Sequence, residues 1–195
     1  MQSTTKEKIL EEAYRLIHKN GFRSTSVDAI ARASGVKKAN VFYYFPNKEA
    51  LGLELLERVS SQALEQVLSP PLAGESHPTE RIREHLKFAR THMEQASCEG
   101  GCPLGNLALE MADVDETFRK RLARFFEEWQ TMIEGVLRRG VEVGVYRETM
   151  EPRPLAEFII SSVEGAILMA KTTRRTEALV NTENQLVALL ESYHA

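Results

Sequence analysis

The chain has 195 residues, 43% of them hydrophobic and 27% charged, with a formal net charge of −3 at neutral pH. That length supports a sizeable core, as one large domain or as a small domain joined to a larger one, and marks a soluble globular protein. No uncharged apolar run approaches the roughly 18 residues of a membrane span and no signal-peptide pattern opens the chain, so the expected location is cytoplasmic; two cysteines in CEGGC spacing, Cys98 and Cys102, make neither a disulfide scaffold nor a CxxC metal or redox pair.

The charge is unevenly placed. Residues 1–48 hold nine Lys/Arg against four Asp/Glu, a balance of +5, and the remainder holds 16 against 24, a balance of −8. A basic end on an acidic body suits a protein that meets a polyanion at one end. Thr4 and Glu7 have capping-box spacing and open a helix with apolar positions Ile9, Ala13, Leu16 and Ile17, which Lys19-Asn20-Gly21 stops.

The stretch TSVDAIARASGVKKANVFYYFPNKEAL, residues 25–51, reads as two short helices joined by a glycine turn and followed by a third. Thr25 and Asp28 have the spacing of a second capping box, Val27, Ile30, Ala31 and Ala33 give the first helix an apolar face, and Gly35 ends it. The second helix, KKANVFYY, carries Lys37, Lys38, Asn40, Tyr43 and Tyr44, the cations, amide and phenols that phosphates and base edges require. Pro46 breaks that helix, and Asn47 is placed to cap the next. Val27, Ile30, Val36, Val41, Phe42 and Phe45 are assigned to core.

These residues resemble the TetR (tetracycline-repressor) family of bacterial transcriptional regulators. Gly35, Val36, Val41, Phe42, Tyr44, Phe45, Lys48, Glu49, Ala50 and Leu51 meet that family's G-V-x-x-x-x-[LV]-[YF]-x-[YH]-F-x-x-K-E-A-L run, and Gly21, Phe22, Thr25, Ser26, Val27, Ile30 and Ala31 fit the phrase before it. The likeness covers about the first third of the chain. Two departures stand out: Lys37 takes the place of a Ser or Thr cap, at a cost of about 1 kcal/mol, and Phe42 replaces a Tyr and so cannot donate to a phosphate.

Beyond the motif, a helix from about Lys48 to Leu68 turns Leu51, Leu55, Leu56, Val59, Ala63 and Val67 inward, with Lys48 in a first turn that favours an anion. SPPLAGESHP, residues 69–78, reads as a linker. Ile82, Leu86, Ala89 and Met93 mark one helix, and Phe118, Leu122, Phe125, Trp129, Met132 and Val136 a long one ending near Gly140. Between them Gly100 and Gly101 stop an element, and Pro103 starts a short helix with Leu104, Leu107, Ala108 and Met111. Some TetR-like proteins carry a similar G-C-x-x-G-N-L segment at the entrance of the ligand pocket. A helix after Pro152 turns Ile159, Ile160, Val163, Ile167 and Leu168 to one side, and a last helix spans about Leu179 to Tyr193. Two apolar helices closing a chain whose core is already supplied are candidates for a subunit interface, and the resemblance implies the same pairing, as a four-helix bundle. No strand pattern is present; Val141 to Tyr146 is nearest.

The expectation is an all-α protein: a three-helix helix-turn-helix DNA-binding domain over residues 1–48 and a helical ligand-binding and dimerisation domain over 49–195. Walker, GxGxxG, HExxH and GxSxG motifs are absent, so an enzyme is not expected, nor is a cofactor or a metal. The expected partners are double-stranded DNA with a pseudo-palindromic operator, a second copy of the chain, and a small-molecule effector. Thr25, Ser26, Lys37, Tyr43, Tyr44 and Lys48 are candidates for the DNA backbone, with Tyr43 also within reach of a thymine methyl, and Lys38 and Asn40 for base edges. Phe88, Met93, Met111, Phe125, Trp129, Met132 and Met169 line an apolar cavity or are plain core, His92 and Cys102 are further candidates for the ligand, and His85 and His92 face a pocket or are merely exposed or satisfied. Cys102, directly before a helix, is either a thiolate poised for oxidation or alkylation, with Cys98 to resolve it, or a small structural residue. Some TetR-like regulators that resemble this chain in this segment sense electrophiles through a cysteine.

Overall fold

The structure, a computed structural model, describes residues 4–195 and is 77% helical. Helix α1 spans Thr5–Asn20 with both halves of its capping box formed: Glu7 N–H donates to Thr4 Oγ1, and Thr4 N–H donates to the Glu7 carboxylate at 2.6 Å. Gly21, at φ +88°, ends it. Helices α2 (Val27–Ala33), α3 (Lys38–Tyr44) and α4 (Lys48–Gln62) follow. Gly35 lies at φ +68°, the left-handed conformation that lets α3 turn away from α2. Asn47 caps α4 by accepting from Ala50 N–H at 2.7 Å.

Helix α2 is capped by Ser26 and not by Thr25. Ser26 Oγ accepts from Ala29 N–H, whereas the Thr25 hydroxyl is buried and donates to Gly21 O at 2.7 Å. Of two adjacent hydroxyls, the one whose side chain faces outward at the first turn takes the cap.

The chain divides into two compact units. The first comprises residues 1–61 and 103–123, and its core joins Ile9, Leu10 and Ala13 of α1 to Ile30, Ala31, Val41, Phe45, Leu51 and Leu55. Helix α7 (Pro103–Met111) and the start of α8 (Glu116–Glu142) belong to it. Phe22 and Phe118 pack with ring centroids 5.2 Å apart over Gly52. No side chain fits there, since a Cβ on Gly52 would stand 2.4 Å from the Phe22 ring.

The second unit comprises residues 62–102 and 124–195. It begins with a π-helical turn, Ala63–Leu68, that continues into α5 (Ser69–Leu72). Leu64 and Leu68 are buried where unbroken α periodicity places Ala63 and Val67, because the wider turn inserts one extra residue. The expected linker at 69–78 shrinks accordingly. Ser69–Leu72 is helical, with Leu72 buried, and Pro78 already opens α6 (Pro78–Gln95). Helices α6, α9 (Pro152–Thr173) and α10 (Glu177–Ser192) pack together through Met93, Cys98, Ala166, Ala170 and Leu179. The glycine-broken stretch 141–146 forms the end of α8, a turn and one bridge from Tyr146 to His194. Thr79 Oγ1 lies 2.9 Å from Tyr146 Oη and 3.0 Å from His194 Nε2, which ties the C-terminus to α6.

One face of α9 departs from expectation. Val163 is buried within the chain and Ile167 packs against the same core, but Leu168 is exposed. Leu168 belongs to a separate stripe with Phe158, Ser161 and Gly165, at helical spacing along the outer side.

Candidate functional site

Helix α3 turns one buried residue, Val41, inward and leaves the rest of its surface outward. Lys37, Lys38, Asn40, Tyr43 and Tyr44 are exposed together, Tyr43 at 82%. Lys37 occupies the N-cap position, where its side chain, having no acceptor, makes no cap bond, and it is exposed. Lys38 pairs with Asp28 of α2 at 3.0 Å, both side chains about half exposed. Such a pair is worth at most about 1 kcal/mol, so a guanine or phosphate can displace it. Phe42, expected in the core, is instead 43% exposed, with Lys38 Nζ 6.0 Å above its ring; a seven-residue helix touching its core through Val41 has no second inward position for it.

Lys48 is held at the start of α4. Its Nζ donates to Arg23 O at 3.2 Å and lies 4.6 Å from the Phe22 ring centroid, which fixes the cation while leaving it partly exposed. Ser26 is exposed at the first turn of α2. Thr25 drops out of the contact set, because its hydroxyl is buried and its proton is given to a backbone carbonyl.

Sequence reasoning did not find Glu110. This α7 carboxylate accepts from the backbone N–H groups of Phe22, at 2.7 Å, and Arg23, at 2.6 Å, in the loop that leads from α1 into α2. Bonds from neutral amides to an ionised acceptor are stronger than neutral ones. The same pair of oxygens approaches Gly21 so closely that a Cβ there would meet Glu110 Oε2 at 3.1 Å.

The residues expected to meet a ligand separate by burial. Met93, Phe125 and Trp129 are buried in the second unit, and Met111 is buried in the first. Phe88, His92 and Met169 are exposed. Phe88 and His92 stack on each other along the outside of α6, as side chains one turn apart do.

The buried histidine is His85. Trp129 Nε1–H donates to its Nε2 at 3.0 Å, and burial lowers its pKa from 6.5 to about 4. Cys102 is half-buried and bonds to the Glu164 carboxylate, whose pKa burial raises against that bond. Both cysteines are free thiols. Among the described residues no group of three His, Cys, Asp or Glu converges to hold a metal, and no helix is long and apolar enough to cross a membrane.

The family described as bacterial regulatory proteins, tetR family, matches residues 9–55. The C-terminal domain of LmrA/YxaF-like transcriptional regulators matches residues 78–185. An uncharacterised HTH-type transcriptional regulator in the lacX 3′ region of Lactococcus lactis is 30% identical over 90% of this chain and 87% of its own length. A TetR transcriptional regulator from Chloroflexus aurantiacus superposes with a TM-score of 0.89 at 25% identity, over 97% of this chain and 96% of that one. The reduced form of Escherichia coli NemR superposes with a TM-score of 0.85 at 26% identity, over 98% of this chain and 97% of that one.

The buried, neutral His85 makes stability depend on pH in a defined direction. The unfolded chain takes up a proton near pH 6.5, and the folded chain refuses it until about pH 4. The stabilisation is therefore complete above pH 6.5 and is lost as the pH falls from there through about 4. At about 1.4 kcal/mol per pKa unit the loss is on the order of 3 kcal/mol. Urea titrations of wild type and His85→Phe across this range give a stability difference that shrinks with acidity; a difference independent of pH contradicts the assignment.

Proposed function

The chain belongs to the TetR family of bacterial transcriptional regulators, a non-enzymatic, DNA-binding class, and from that premise we propose that it is a homodimeric repressor released from its operator when a small molecule binds the C-terminal domain. The observation that carries the DNA half of this reading is the outward face of α3. Two lysines, an asparagine and two tyrosines stand exposed on one short helix whose single inward residue is locked into a core. Residues 1–48 are then the DNA-binding domain and residues 49–195 the ligand-binding and dimerisation domain.

In this reading α3 enters the major groove. Lys38 leaves Asp28 for a guanine edge, Asn40 reads an adenine, and Lys37, Tyr43, Tyr44, Lys48 and the Ser26 turn hold phosphates. A two-fold dimer presents α3 twice, so the operator is a pseudo-palindrome with half-sites about one helical turn apart or somewhat more. The dimer surface is the outer stripe of α9 with α10: Phe158, Leu168, Met169 and Val180 are exposed large apolar residues, and a Cβ on Gly165 meets nothing within 4 Å, which leaves room for a close neighbour. The buried set Met93, Phe125 and Trp129 supplies the apolar side of the ligand site.

A second reading, a repressor triggered through the Cys102 thiol, is favoured by its half-buried position directly before the first residue of α7. The Glu164 carboxylate beside it works the other way, since reactive thiolates are flanked by cations. Treating the operator complex with N-ethylmaleimide separates the two: release of wild type but not of Cys102→Ser favours the thiol, and equal behaviour of both excludes it.

Operator selection from random-sequence DNA tests the main reading. Asn40→Ala costs about 1–3 kcal/mol and relaxes preference at one base position, whereas Lys48→Ala weakens binding to all sequences alike and lowers the salt slope by about one. Equal loss of specificity in both variants shows that the roles are misassigned. For the assembly, Leu168→Glu yields monomers in sedimentation velocity and a protein that binds half-sites only; an undisturbed dimer moves the interface elsewhere.

A further inference from the structure

Trp129 is the chain's single tryptophan, and an indole nitrogen can only donate. Because it donates to His85 Nε2, that nitrogen holds a lone pair, and the neutral ring carries its proton on Nδ1. His85 Nδ1–H is thus a donor of fixed position. It is buried, and among the described residues nothing accepts from it. Buried donors are nearly always paired, so this one calls for a partner that is not part of the chain. A buried water takes two to four polar partners. The ring that faces His85 is aromatic, Trp129 at 5.7 Å, and Trp129 in turn packs on Phe125 at 6.1 Å and Phe126 at 6.4 Å, centroid to centroid. The other unpartnered buried polar atoms of the second unit are Arg81 Nε, whose guanidinium is held by the carbonyl of Leu72, and Glu164 Oε1, which is an acceptor on α9.

We propose that the effector brings an uncharged hydrogen-bond acceptor, a carbonyl or ether oxygen or an aza nitrogen, on an apolar frame that suits aromatic neighbours, and that His85 Nδ1–H receives it. This rests on the ligand-released reading and names the chemistry of its ligand. The charge class follows from the bond to Trp129. A donor repels a cation. An anion gains most from an imidazolium, but a proton on Nε2 sets two N–H groups against each other at 3.0 Å. Burial, which keeps the ring neutral down to about pH 4, acts in the same sense.

The test uses the full-length protein without DNA and two probes of similar size, acetophenone and ethylbenzene, which differ in the carbonyl. Binding is read from Trp129 fluorescence and from the imidazole N–H region of the proton NMR spectrum. The expected result is that acetophenone binds about five- to tenfold more tightly than ethylbenzene, shifts the His85 Nδ1–H resonance downfield, and loses its advantage in His85→Phe. Equal binding of the two probes, no binding of either, or an Nδ1–H resonance that does not move overturns the proposal. The wild-type comparison decides the matter even where the variant does not fold. If a cell extract releases the operator complex equally well from wild type and from His85→Phe, the ligand-released reading stands and this inference alone falls.

Discussion

The carboxylate of Glu110 is the constraint on which the reading head depends. It closes two backbone amides of the α1–α2 loop, Phe22 and Arg23, across 88 and 87 residues of sequence. Each bond to a charged acceptor contributes about 1.5–3 kcal/mol, more than a neutral pair. The loop it closes carries Thr25, whose buried hydroxyl returns to Gly21, and Ser26, which caps α2. Helix α2 in turn presents Asp28 to Lys38 of α3. A single side chain of α7 thereby sets the ends of the segment that would meet DNA.

The two units solve different problems with charge. In the first, cations are left outward: Lys38 in an exposed pair with Asp28, Lys48 fixed by Arg23 O and the Phe22 ring yet partly exposed, and Lys37 exposed at the N-cap of α3. An exposed pair such as that of Lys38 exchanges its partner for a phosphate at little cost. In the second, a buried histidine is kept neutral by desolvation and by an indole donor that leaves no room for a second proton. One unit presents its cations outward, and the other keeps a buried histidine neutral.

How much of this was legible in the sequence depended on the range of each signal. Most local rules held: the Thr4/Glu7 box, the left-handed Gly35, the break at Pro46 and the Asn47 cap formed as their residue types dictate, whereas the Thr25/Asp28 box did not, because the Thr25 hydroxyl is buried against Gly21 O and Ser26 takes the cap. The helical character of the whole chain and the exposed set on α3 followed from periodicity. Failures began where geometry overrode counting. The π-helical turn after Gln62 shifted the buried face by one residue, to Leu64 and Leu68, and no composition cue marks it. His85 and His92 lie seven residues apart on α6, nominally one face, yet only His85 meets Trp129, a partner supplied by α8. Leu168 looked continuous with Val163 but belongs to the outer stripe. Glu110 was invisible because its partners are backbone amides, which every sequence has.

The dependence of the reading head on Glu110 is tested most directly by operator affinity in fluorescence anisotropy at fixed salt. Glu110→Ala is compared with wild type on an operator selected from random-sequence DNA and on single-base variants of it, with circular dichroism recorded alongside. The account predicts an affinity loss of about tenfold or more, spread evenly over the operator and its variants, with helix content unchanged. An affinity equal to wild type, at equal helix content, contradicts it.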